Sequence, residues 1–235
     1  MDANARLTAY LEANPAATGK VVDFNAVTDR LYHFDFTAGN IDLNGDIFNE
    51  TEKFNRWVTQ KLQSHTCKYG IGGYMEHRTI YARSMHFNTD DEPRRLHLGV
   101  DIWGDAETAV YAPLKGIVHS FKDNNNFGDY GPAIILEHHL EGLTLYSLYG
   151  HLSRSSLAGL TVGMPINKDQ QIGTFGNMTE NGNWPPHLHF QLMFDIEGKS
   201  GDYPGVCRYS EKDKYQENIP DPQIILQFPN SVNFL

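Results

Sequence analysis

Cysteine is nearly absent from this sequence: there are two in 235 residues, Cys67 and Cys207, and no Cys-x-x-Cys pair. That excludes a cysteine-rich zinc site and a thioredoxin-type redox motif. One possible pair is not a disulfide framework, so two free thiols in a reducing compartment is the simpler expectation than a Cys67–Cys207 bridge. The chain also lacks an apolar run long enough to span a bilayer. Its start, Met1-Asp2-Ala3-Asn4-Ala5-Arg6-Leu7, lacks the basic segment and apolar stretch of a signal peptide. The expectation is a cytoplasmic protein with no membrane insertion; a periplasmic or secreted location would require that a signal had been removed. Positive charge is scarce too. With 19 Lys and Arg against 29 Asp and Glu, the formal net charge is −10, which repels nucleic acid and anionic surfaces. No internal repeat and no low-complexity segment is present.

What remains is the composition of a globular domain with a β bias. Hydrophobic residues make up 40% and charged residues 20%, and 21 glycines accompany 12 tyrosines and 13 phenylalanines, a mixture that suits strands joined by tight turns. Alternating patterns predict strands over Thr79 to Phe87, Leu96 to Trp103, Ala109 to Tyr111, Gly116 to Phe121, Ala133 to His138, Leu143 to Tyr149 and Leu188 to Phe194. Turns such as Asp123-Asn124-Asn125-Asn126 and Asn181-Gly182-Asn183 separate them. Before residue 69 the pattern is partly helical. Arg6 to Ala13 is a short helical stretch, and Thr51 to Leu62 carries Phe54, Trp57, Val58 and Leu62 on one stripe, with Thr51 as the N-cap. The predicted fold is β-rich (α+β). A partly helical N-terminal extension (1–68) precedes an antiparallel sheet or sandwich core (69–196). A C-terminal extension (197–235) packs on that core as a strap from Pro220-Asp221-Pro222 onward.

Two pairs of residues carry chemistry. In Pro186-His187-Leu188-His189-Phe190 the histidines are separated by one residue, so on a strand both imidazoles point to one face while Leu188, Phe190 and Leu192 point to the other. In His97-Leu98-Gly99-Val100-Asp101 the same logic places His97 and Asp101 together, with Gly99 leaving room between them. Convergent imidazole and carboxylate groups suit zinc. Either pair alone is better read as an edge strand with two polar residues facing water. A third element, Tyr149-Gly150-His151-Leu152-Ser153, presents a histidine at a strand end.

In this order the three elements resemble the M23 (LytM/lysostaphin-like) zinc metallopeptidase family. The resemblance runs over about residues 95 to 195 and includes Val110-Tyr111-Ala112-Pro113 and Gly116-Ile117-Val118. It implies a core of M23 type and one zinc per chain, held by His97, Asp101 and His189, with His151 and His187 as catalytic residues. It further implies hydrolysis of peptide amide bonds by a zinc-activated water, as in an endopeptidase acting on peptidoglycan-like or glycine-containing peptides. His-Glu-x-x-His, with its glutamate base, is absent, so the catalytic histidines would take that role, and the sequence does not say which of them is the base. Two other functions fit the same residues: a cytosolic zinc hydrolase of a small metabolite or small amide, and a non-catalytic binding module that keeps the fold. The presence of all five site residues counts against the last.

The stretch Gly72-Gly73-Tyr74-Met75-Glu76-His77-Arg78 departs from cell-wall members of the family. Tyr74, Glu76 and Arg78 are spaced to share a face, and Arg78 is a candidate for binding a substrate carboxylate, against the alternative of a structural Glu76–Arg78 pair. The N-terminal segment and this stretch are expected to flank the groove. Asp42-Leu43-Asn44-Gly45-Asp46 has the look of a calcium loop, but Ile47 and Lys53 occupy the positions that need glycine and glutamate, which rejects it. His138 and His139 are adjacent and so face opposite sides of a strand, and are expected at a surface or edge. His33, His65, His77, His86 and His119 have no partner at ligand spacing.

Overall fold

Turns rich in Gly, Asn and Asp cut the chain into short strands, and the apolar face of each strand decides where it packs. A computed structural model describes residues 2–88 and 91–229. In chain order the elements are α1 (Ala3–Ala13), β1 (Leu31–Phe34), α2 (Gly45–Phe48), α3 (Thr51–Ser64), β2 (Tyr69–Gly72), β3 (Leu96–His97), β4 (Val100–Trp103), β5 (Ala109–Tyr111), β6 (Gly116–Asn124), β7 (Gly131–Leu140), β8 (Leu143–Gly150), β9 (Pro165–Ile166), β10 (Gln171–Thr174), β11 (His187–Met193), β12 (Val206–Cys207), α4 (Lys212–Asn218) and α5 (Gln223–Leu226). Eight strands form one sheet in the order β1-β2-β4-β11-β8-β7-β6-β9. Its pairings are antiparallel except β1 beside β2, and β5–β10 and β3–β12 make two small ribbons. This is the β-rich, antiparallel-dominated fold with a few helices that the composition predicts. No helix among the described residues is long and apolar enough to cross a membrane.

One face of the sheet is the main core. Leu188, Phe190 and Leu192 of β11 are completely buried there with Val100 and Ile102 of β4 and Ile134 and Leu136 of β7. Side chains of this size each contribute about 1.5–3 kcal/mol relative to exposure. Leu7, Val21, Leu31, Ile225 and Phe228 join the same cluster, so this core runs across residues 68/69 and 196/197 without a break. The C-terminal strap is fixed at its start: Phe194 N–H donates to Asn218 O and Tyr74 Oη donates to Ile219 O. Its final apolar stretch, 230–235, lies outside the described residues. Cys67 and Cys207 are both free, and burial pushes the Cys207 thiol up to about 12.

Three local expectations are corrected. Thr79 to Phe87 is two short 3-10 turns, Ile80–Arg83 and Met85–Phe87; Ile80, Tyr81 and Phe87 are buried, but not with the period of a strand. Thr51 follows Glu50, the N-cap of α3, and its hydroxyl donates to Asn183 O, 3.1 Å away. His138 and His139 do face opposite sides, but His138 is wholly inside, with Nδ1 2.9 Å from Lys115 O and Nε2 2.7 Å from Ser147 Oγ.

Candidate active site

The face of the sheet opposite the main core carries the polar alternates. Along β11 they are His187, His189 and Gln191, and along β4 they are Asp101 and Trp103. The antiparallel register sets His189 directly across from Asp101 and His187 across from Trp103. Directly opposed side chains on one face are near neighbours. The His187 ring therefore stacks on Trp103, with centroids 4.0 Å apart and planes 12° from parallel. The predicted strand Leu96 to Trp103 breaks after His97, so His97 reaches the site from β3, a separate ribbon. Met75 N–H donates to His97 O and His97 N–H donates to Glu76 O, which ties that ribbon to the 73–78 stretch. Gly99 leaves room for a ring rather than for an ion: a Cβ there would lie 2.8 Å from His189 Cε1 and 2.7 Å from Phe190 O.

Among the described residues, His97, Asp101 and His189 are the one group of three whose candidate ligand atoms all lie within 4.8 Å of one another. His97 Nε2 is 2.9 Å from His189 Nδ1, and Asp101 Oδ1 is 3.1 Å from both. The far side of each group is already occupied. His97 Nδ1 donates to Gly73 O at 2.8 Å, and His189 Nε2 donates to Gln191 Oε1 at 3.0 Å. Gln191 Nε2 donates to Pro204 O at 3.2 Å, which fixes that amide with its oxygen toward His189. Asp101 Oδ2 accepts from Arg78. Each imidazole has thus spent its one proton outward. Two nitrogen lone pairs and a carboxylate oxygen face one another with no proton between them. Burial first, then Arg78, holds the His97 imidazole down at about 4. Burial alone would raise the Asp101 carboxyl, but His97 and Arg78 hold it well below the usual carboxylate range. Three buried acceptors in mutual contact repel unless a cation sits among them. Ligand atoms around a tetrahedral ion with bonds near 2.0–2.2 Å stand about 3.3 Å apart, close to this spacing. The donor set therefore fits a divalent metal, with outer hydrogen bonds of the kind that orient metal ligands.

His151 and His187 lie beside this cluster, their rings 4.2 Å apart. Each turns Nδ1 to a backbone carbonyl at 2.8 Å, His151 to Asn181 O and His187 to Pro185 O. Nε2 is left as the unprotonated nitrogen of each neutral ring. Burial is the main force holding both below the ordinary histidine value, His187 to about 4. His151 also sits at φ +63°, where a non-glycine residue is strained; its N–H donates to Tyr130 O and its carbonyl accepts from Gly176 N–H. A cavity of about 450 Å³ opens over these groups, walled by Tyr81, Phe87, Tyr130, Trp184 and Tyr203. Arg94, Lys122, Lys199 and His86, the last given no role from the sequence, also line it.

The substrate role expected for Arg78, Tyr74 and Glu76 does not match their contacts. Arg78 is completely buried, and its Nε, Nη1 and Nη2 bond to Glu76, Tyr81, Asp101 and Gly73. Tyr74 is committed to Ile219 O, and Glu76 Oε1 accepts from Phe36 N–H. The structural Glu76–Arg78 pair, the alternative the sequence offered, is present, and Arg78 lines the cavity with its polar atoms already engaged. Gln191, which fixes the His189 tautomer, was missed; the continued alternation His187-x-His189-x-Gln191 was the signal that could have found it.

Residues 95–202 match the family model of peptidase family M23. Similar solved structures include the catalytic domain of the antimicrobial peptidase lysostaphin from Staphylococcus simulans: 24% identity, 74% of this chain and 97% of that one, TM-score 0.44. A putative peptidase M23 from Pseudomonas aeruginosa is 21% identical over 58% of this chain and 47% of that one, with TM-score 0.37. No curated protein matches the sequence.

Proposed function

We propose that the protein is a zinc-dependent peptidase that hydrolyses amide bonds in small or glycine-containing peptides, with one zinc held by His97, Asp101 and His189. The observation that carries this reading is the trio of buried, mutually facing acceptor atoms with no proton to separate them, of which Asp101 and His189 belong to residues lining the cavity. Zinc bound there would act as a Lewis acid, lowering the pKa of a water and polarising the scissile carbonyl.

The chain's own groups supply the rest. His151 and His187 each offer an unprotonated Nε2, so either can take the proton of the attacking water. With the rings 4.2 Å apart, a second positive charge is disfavoured, so one histidine carries the proton at a time and can pass it to the leaving amine. Trp103 beneath His187 and the Asn181 carbonyl behind His151 hold the two rings in place. The aromatic walls limit the cavity to about 450 Å³, which favours substrates with small residues at the scissile bond and is also compatible with a small metabolite amide.

The test is hydrolysis of glycyl peptides, peptidoglycan fragments and small amides by the metal-loaded protein, by the chelated protein and by the chelated protein given zinc back. Cleavage of glycyl peptides that stops on chelation and returns with zinc is expected. Peptide cleavage that survives complete metal removal contradicts the proposal, and turnover of small amides alone would favour the metabolite hydrolase.

A further inference from the structure

Arg78 takes no part in the hydrolysis described above, yet it is among the largest fully buried side chains of the protein. Its Nη1 donates to Asp101 Oδ2 and, at 3.2 Å, to Tyr81 Oη; Nε donates to Glu76 Oε2 at 2.7 Å and Nη2 to Gly73 O at 3.3 Å. The same Gly73 carbonyl accepts from His97 Nδ1. One guanidinium thus bonds one metal-ligand candidate directly and shares an anchor with a second. Space for it is made by Gly72, which lies opposite Asp101 in the β2–β4 pairing; a Cβ at Gly72 would sit 2.5 Å from Arg78 Nη2. Behind Arg78, Glu76 is held by Phe36 N–H, so a chain of contacts runs from the segment after β1 through Glu76 and Arg78 to Asp101.

We propose that Arg78 is a positioning residue that makes Asp101 a one-oxygen metal ligand. This rests on the metal reading given above. A free carboxylate can offer both oxygens to a cation. Here Oδ2 is taken by Arg78, and only Oδ1 turns toward His97 and His189. With Asp101 limited to Oδ1, a cation held by the trio would keep a position for water and substrate, which a hydrolytic site needs and a two-oxygen carboxylate would occupy. The guanidinium suits this task because its planar fork fixes direction as well as charge. The N-terminal segment then acts on the site from behind, as a buttress for a ligand.

Cobalt(II) is the probe, since its visible absorption weakens as the ion takes an additional ligand. Wild type, Arg78→Met, Arg78→Lys and Gly72→Ala are titrated with cobalt against a competing chelator, after circular dichroism has checked folding. Arg78→Met should bind cobalt about 10–100-fold more weakly, the usual effect of losing an outer partner of a metal ligand. Its absorption per bound ion should also fall as Oδ2 joins the ion. Arg78→Lys should recover part of the affinity. Gly72→Ala, which crowds an intact arginine, should move both readouts in the same direction as Arg78→Met and decides the matter if Arg78→Met does not fold. A folded Arg78→Met, or a folded Gly72→Ala in its place, with wild-type affinity and spectrum overturns the role of Arg78 while leaving the metal site intact. A wild type that binds no cobalt overturns the metal site and this role with it.

Discussion

Two buried histidine clusters, one within the large sheet and one between that sheet and the β3–β12 ribbon, differ in the number of protons available to their contacts. Around His138 there are three contacts: Nδ1 with Lys115 O, Nε2 with Ser147 Oγ, and Ser147 Oγ with Tyr149 Oη. The imidazole, the serine and the tyrosine supply one proton each, so all three can be satisfied at once. Around His97, Asp101 and His189 the outward contacts use every proton the histidines own, and the three inward contacts have none. A satisfied polar cluster is part of a core; an unsatisfied one is costly to bury without a ligand. Burial and a histidine are common to both, so neither alone marks the site.

The largest expected effect sharpens the difference between the metal-facing trio and the histidines beside it. His151→Ala and His187→Ala should each retain the metal and lose about a hundredfold or more in kcat/KM, the scale of lost general acid–base help. Metal content and steady-state kinetics of the two variants check this. If His187→Ala lost its metal while His189→Ala kept it, the roles within the β11 pair would be reversed.

A smaller effect separates the His138 cluster from the site. Burial, partly opposed by the Lys115 carbonyl, holds the folded-state pKa of His138 at about 4, below the roughly 6.5 of an unfolded chain. The unfolded state therefore takes up a proton that the folded state excludes. The stability tied to this group is fully present above about pH 6.5 and is lost as pH falls toward about 4, up to about 3 kcal/mol in all. In His138→Gln this dependence is removed. Denaturant unfolding at about pH 7 and about pH 4.5 should show the variant losing less stability than wild type, with metal content and activity unchanged at neutral pH. An unchanged pH dependence would show that His138 is not held neutral by burial.

The sequence showed the site's face more clearly than its surroundings. Period-two alternation in His187-x-His189 and the order of the three motifs were enough to bring five residues to one place, because side-chain direction on a strand is a local property. The break after His97 was not legible, since it depends on β3 finding β12 from the far end of the chain. Of Arg78 only the pairing with Glu76, one of the two alternatives, was legible, for a similar reason. Spacing set it beside Glu76, but its chief partner, Asp101, is brought to it by the β2–β4 pairing, and an arginine's ability to bind carboxylate does not say whose carboxylate it binds. The parallel strand β1 and the 3-10 turns at Ile80–Phe87 were hidden because tertiary packing, not periodicity, fixes them. Gly99 was read as space for an ion, yet the space is filled by the His189 ring that would bind it.

The central claim is that the proton-deficient trio binds a metal ion. Zinc bound per chain after equilibrium dialysis, measured by elemental analysis on wild type and Asp101→Ala, addresses it directly. The account predicts one zinc per wild-type chain and a loss of most of it in Asp101→Ala, with His138→Gln indistinguishable from wild type. Full zinc occupancy in a folded Asp101→Ala, or none in the wild type, would contradict it.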